Sequence, residues 1–190
     1  MSLKSEDLIK INLNELKFKK LKQKTDVSNY LITNFENKKV TVILENIDIP
    51  FGVEIYEKKH ILNIEINPKK SNQQYNYYAI ISGFEQEISN LENFKYEKLL
   101  RDLEGKGYYP NIKKSKEGYI IRTHIFNTPE VFTMLSGKDK SVRNIKDNRI
   151  LQDVKKVRAN IELELGTLWI NDNNYGFSWY VKQIEILHSL

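Results

Sequence analysis

The 190-residue chain has no cysteine. That excludes disulfides, thiol catalysis and cysteine-ligated metal, and it fits an intracellular protein. Histidine is nearly as scarce: His60, His124 and His188 stand alone, with no second histidine or carboxylate at ligand spacing. No apolar run approaches the roughly eighteen residues of a membrane span. Met1 to Asp7 lack the apolar stretch of a secretory signal. There is no phosphate loop, no glycine-rich dinucleotide fingerprint and no nucleophile elbow. The acidic pairs Glu85/Glu87 and Glu162/Glu164 read as the polar faces of a helix and a strand. These absences lead us to expect no enzyme, no cofactor and no metal.

The charge is basic and unevenly spread. Thirty Lys and Arg against 25 Asp and Glu give a formal +5. Residues 138–158 hold eight Lys/Arg against three Asp, and residues 106–122 five against one Glu. Residues 84–104 reverse the sign, with six acids and three bases. Clustered cations are the footprint expected of a nucleic-acid binder, although a lysine-rich solvated surface would also produce them.

Along the chain the period of hydrophobicity changes. Leu13, Leu16, Phe18 and Leu21 suggest a short helix within residues 1–37, an N-terminal extension that either joins the following domain or precedes it. Alternation predicts strands over Lys38–Glu45, Ile49–Glu57 and His60–Asn67. Ile88, Leu91, Tyr96, Leu99, Leu100 and Leu103 recur at three and four, predicting a helical insertion over about 75–105 that ends at Gly105 and Gly107. Tyr75–Gly83 fits helix or strand. Tyr108–Ile112 and Tyr119–Phe126 pair as a hairpin, and residues 127–150 read as a long basic loop. Val157, Ala159, Ile161, Leu163 and Leu165 alternate with Arg158, Asn160, Glu162 and Glu164, so the first set should face a core. Asn171 to Asn174 supplies a tight turn into a second aromatic-rich strand. The order suits a mostly β (α+β) fold: an OB-like five-stranded antiparallel Greek-key barrel over residues 38–190 with a helical insertion.

Aromatic and basic residues interleave. Tyrosines (11) outnumber phenylalanines and tryptophans together (8 and 2), and a tyrosine tolerates half-exposure because its hydroxyl stays wet. Single-strand binding needs cations along the phosphates and rings under the bases. Phe51, Phe177 and Trp179 share a face with aliphatics and read as core, whereas Tyr56 and Tyr180 lie on the opposite face, and Trp169 is either a second-layer core residue or a platform. The candidate contacts are Tyr56, Lys58, Lys59, Lys113, Lys114 and Arg122, then Lys138, Lys140, Arg143, Lys146 and Arg149 in the long loop, then Arg158, Trp169, Tyr180 and Lys182.

The run Ile161–Leu187, with Leu-Gly-Thr-Leu-Trp-Ile, Tyr-Gly-Phe-Ser-Trp-Tyr and Lys-Gln-Ile-Glu-Ile, resembles the C-terminal hairpin of single-stranded DNA-binding proteins of large DNA viruses and related cytoplasmic DNA elements. It covers about a seventh of the chain. The resemblance implies an OB-fold that coats single-stranded DNA in replication or recombination, at a viral replication site in the host cytoplasm. Its partners would be single-stranded DNA and replication proteins, with no membrane, and with RNA binding and self-association left open. A structural or interaction subunit, or an RNA-binding OB module, would share much of this pattern.

Overall fold

The computed structural model describes residues 2–3, 13, 16–21, 27–34, 36, 38–56, 59–125, 134–136, 142–144 and 154–190. These form a 13-stranded mixed sheet with two helices. The strands are β1 (Ser2–Leu3), β2 (Leu16–Lys20), β3 (Ser28–Asn34), β4 (Thr41–Ile49), β5 (Val53–Tyr56), β6 (Lys59–Ile66) and β7 (Gly107–Tyr108). They continue as β8 (Ile112–Lys114), β9 (Tyr119–Ile125), β10 (Met134–Ser136), β11 (Val142–Asn144), β12 (Val157–Ile170) and β13 (Asn174–Ser189). Between β6 and β7 lie helix α1 (Asn72–Ser89), a 3-10 turn at Leu91–Asn93 and helix α2 (Glu97–Leu103).

The main path runs β1-β4-β12-β13-β9-β6-β5. Most neighbours are antiparallel, but β9 runs parallel to β13, so the sheet is mixed rather than antiparallel. Among the described residues the ladders form an open path and no closed ring. β4 and β6 nonetheless lie side by side, with Cα atoms within 8 Å.

The C-terminal hairpin follows its alternation. Val157, Ala159, Ile161, Leu163 and Leu165 are buried, and Arg158, Asn160, Glu162 and Glu164 point the other way. Its turn is held by Asn171, whose Oδ1 accepts from the backbone N–H of Asn173 at 3.0 Å and Asn174 at 2.7 Å. β4 needs a bulge to keep one face inward. Ala159 pairs with Ile47 and Ile161 with Leu44, so β4 carries an extra residue. Asn46 absorbs it at φ 56°, a conformation asparagine tolerates. Buried positions therefore run Val42, Leu44, Ile47, Ile49.

Several expectations change. Leu16–Lys20 is strand β2, antiparallel to β3, not a helix. β3 pairs with β12, so residues 28–34 belong to the sheet. Phe51 is 54% exposed in the bend between β4 and β5, because the chain turns at Pro50–Gly52 before the next strand begins. The stretch expected to be a loop contains β10 and β11, which pair with each other, and β10 also runs parallel to β13. The ambiguous Tyr75–Gly83 is helix. Ser71 caps it by accepting from the Gln74 N–H at 3.2 Å.

Helix α1 lies against the inward face of β13: Phe84 meets Phe177 edge-on at 5.1 Å and Trp179 at 6.0 Å. Tyr175, Phe177 and Trp179 are all buried, as expected for the latter two. Glu85, expected on a polar helix face, is buried too. Its Oε1 accepts from the backbone N–H of Asn111 at 2.6 Å and Ile112 at 3.1 Å, fixing the start of β8 against the helix. No helix among the described residues is long and apolar enough to cross a membrane.

Candidate nucleic-acid interface

In β9, Ile121, Thr123 and Ile125 are buried, which sends Ile120, Arg122 and His124 to the outer face. Register carries that face across the sheet. His124 lies opposite Ile61 of β6 and beside Tyr180 of β13, and Arg122 lies opposite Asn63. In the β5–β6 hairpin, Tyr56 pairs with Lys59 and Glu54 with Ile61, so Tyr56 and Lys59 share the same side. Ile61 on this face is buried, an apolar floor between β5 and His124.

Arg122 is the centre of the arrangement. Its guanidinium sits 4.9 Å from the ring centroid of Tyr56, which is 54% exposed. A planar cation over a ring face is a cation–π contact that keeps both groups at the surface in a fixed orientation. Two residues along β9, the His124 ring lies 5.6 Å from that of Tyr180 on β13. Burial holds the His124 imidazole down to about 4, with the Lys59 and Arg122 charges pushing the same way.

A second group of rings adjoins the first. Tyr109 lies 6.1 Å from Trp169, and the Lys113 ammonium sits 4.9 Å from the Tyr109 ring while donating to its hydroxyl at 2.9 Å. That bond, then the Lys113 charge and that of Arg122, holds the Tyr109 phenol below its usual range. The Asn111 side chain donates to the Phe177 carbonyl at 2.7 Å, and with the Glu85 bonds it locks the segment that carries Tyr109 and Lys113.

Two glycines set the rings. Trp169 pairs directly with Gly176, and a Cβ on Gly176 would stand 2.6 Å from Trp169 Cζ2 and 2.9 Å from the Tyr109 carbonyl oxygen. A Cβ on Gly166 would stand 2.3 Å from Tyr180 Cε2. Each glycine thus leaves room over the strand for a ring, which is half-buried there. Gly176→Ala should lower stability by roughly 1–3 kcal/mol, because backbone as well as the ring blocks the methyl. Denaturant midpoints and a red-shifted tryptophan emission would register it; an unchanged spectrum and midpoint would show that the ring does not rest there.

Of the residues singled out in the sequence, Tyr56, Lys59, Lys113, Arg122, Trp169 and Tyr180 share this outer surface. Lys114 points to the opposite side of β8. Arg158 and Lys182 are not gathered with them: Arg158 pairs with Asp48 at 2.7 Å and Lys182 with Glu162 at 3.1 Å. Asp48 also holds Lys70 at 2.6 Å. Lys58, Lys138, Lys140, Lys146 and Arg149 lie outside the described residues, and of Arg143 the structure gives its place in β11 opposite Leu135. Tyr109, His124, Gly166 and Gly176 join the surface without having been singled out. The signal for the glycines was present, since both interrupt strands where a side chain would otherwise pack.

No family model matches the chain, and no curated protein is similar to it in sequence. Among solved structures, the single-stranded DNA-binding protein from bacteriophage Enc34 is similar, with a TM-score of 0.50 at 10% identity, covering 91% of this chain and 90% of that one. Its C-terminal truncation gives 0.50 at 9% identity, covering 92% and 96%. At such identity the likeness is one of fold. The chain shares a mostly β fold with these phage proteins.

Proposed function

We propose that this protein binds single-stranded DNA without strong sequence preference, across the outer face of β5, β6, β8, β9, β12 and β13, and that it acts as a binding protein rather than an enzyme. The observation that carries the reading is the interleaving on one surface of Tyr56, Tyr109, Trp169 and Tyr180 with Lys59, Lys113 and Arg122. Rings stack on bases for roughly 1–3 kcal/mol each and cations follow the phosphates. The strand order supports the placement. We read β4, β6, β9, β13 and β12 as the strands of an OB-like barrel, in which β6 and β9 would form the face such folds offer to oligonucleotides. The fold shared with phage single-stranded DNA-binding proteins supports it as well. The C-terminal resemblance extends the proposal to coating DNA during replication or recombination, with a viral replication site in the host cytoplasm as its setting.

Salt titration tests the electrostatic half. Lys59→Gln, Lys113→Gln and Arg122→Gln should each flatten the slope of log affinity for oligo(dT) against log salt by roughly 0.7. Arg158→Gln and Lys182→Gln should change it less, because Asp48 and Glu162 already neutralise those cations. The opposite pattern would move the interface along the outer face toward β4 and the start of β12. Competition with oligo(U) separates DNA from RNA: a uridine strand that displaces oligo(dT) at equal concentration would favour an RNA-binding module.

A further inference from the structure

A second cluster of cations lies just past the edge of this face. The turn after β8 and the loop between β6 and α1 enclose a cleft of about 300 Å³, lined by Asn67, Lys69, Tyr78, Lys114, Lys116 and Tyr119 among others. Gly118 seats the turn: a Cβ there would stand 2.3 Å from the Ile66 carbonyl oxygen, so the hairpin lies directly on the end of β6. The Ser115 hydroxyl accepts from the Gly118 N–H at 3.0 Å and closes the turn. The rings of Tyr78 and Tyr119 stack at 4.2 Å and form an aromatic wall. Lys69 and Lys116 are exposed, and among the described residues Lys69, Lys114 and Lys116 have no ion-pair partner. Glu117 is the acid that lines the cleft beside them. Three cations around an aromatic wall match a nucleotide, with its phosphate among the lysines and its base toward the tyrosines.

β8 divides the two sites. Consecutive residues of a strand point to opposite faces, so Lys113 belongs to the ring-bearing surface and Lys114 to the cleft. Among the described residues β8 pairs with β9 alone, which leaves its other edge open for a polymer to cross. We infer that the cleft is a second nucleotide subsite, taking a phosphate-bearing nucleotide of the same DNA strand where that strand passes over β8. This rests on the proposed function above and extends it, because it makes the binding footprint longer than the outer face alone.

Oligonucleotide length tests the inference. Affinities of the full chain and of a Lys69→Ala/Lys116→Ala variant are compared for oligo(dT) of about 6 and about 16 nucleotides, spanning the usual range of OB-fold site sizes. Both substitutions are at exposed positions away from the outer face. With the cleft occupied, the variant should bind the long strand roughly 10- to 30-fold more weakly near 0.1 M salt, with a salt slope flatter by about 1.4, and bind the short strand as before. Equal affinities for the long strand would overturn the cleft and leave the proposed function standing. An equal loss at both lengths would overturn it as a separate subsite. If the unaltered protein binds neither strand, the proposed function fails and the cleft with it.

Discussion

Replacing Trp169 and Tyr180 together by alanine is expected to weaken oligo(dT) binding by roughly 2–6 kcal/mol, since each ring stacks for about 1–3. Trp169 rests on Gly176 and Tyr180 on Gly166, so their losses should add. The deficit should persist at high salt, because stacking is not screened as charge is. Both side chains are half-buried on the outer face, so the variant should stay folded with a stability loss of about 1 kcal/mol per site. Trp179→Ala provides the contrast. That ring is 1% exposed and packed against Phe84 and Phe177, so its removal should lower stability by about 3–5 kcal/mol, with binding per folded molecule intact. Equal oligo(dT) affinities for the double variant and the unaltered protein would place the interface elsewhere and favour a structural subunit.

Glu85 should make the protein less stable as pH rises. Burial pushes its carboxyl up to about 7, from an ordinary 4.5, despite the two backbone N–H groups that favour the ionised form. Between those values the folded state holds more protons than the unfolded one, so unfolding free energy falls as pH increases and the loss is complete above about pH 8. Its size is about 3 kcal/mol at 1.36 kcal/mol per pKa unit. Glu85→Gln keeps a carbonyl oxygen for Asn111 and Ile112 and removes the titration. Its stability should vary much less from pH 5 to 8 and exceed that of the unaltered protein at pH 8. A parallel decline in both proteins would assign the pH dependence to other groups.

What the sequence disclosed divides along physical lines. The β12–β13 hairpin was legible because one of its faces is wholly buried, which forces strict alternation. β4 and β5 were less so: the extra residue at Asn46 shifts the alternation by one, and the bend at Pro50–Gly52 puts Phe51 outside. β2 was misread as helix because Leu16 and Phe18 are too few to separate the two periods. The parallel pairing of β9 with β13 joins segments far apart in the chain and leaves no local mark.

The same distinction holds at the site. Tyr56 and Tyr180 were placed outward by parity alone, and the structure agrees; for Trp169 parity left a second-layer core place or a platform open, and the ring lies on the outer face beside Tyr109. Arg158 and Lys182 were grouped with them because the carboxylates that pair with them, Asp48 and Glu162, come from neighbouring strands whose register a sequence does not reveal. Glu85 could have been read: it is four residues after Ile81 and three before Ile88, on the buried stripe of α1. The acidic residues around it made that stretch look solvated.

Tryptophan fluorescence during titration with oligo(dT) tests the interface most directly, because one tryptophan is at the surface and the other is buried. Emission should be quenched on binding, and Trp169→Phe should abolish most of the quenching while binding stays measurable by the anisotropy of a labelled strand. Emission unchanged at saturating oligo(dT), or quenching that survives intact in Trp169→Phe, would contradict an interface built on the outer face of this sheet.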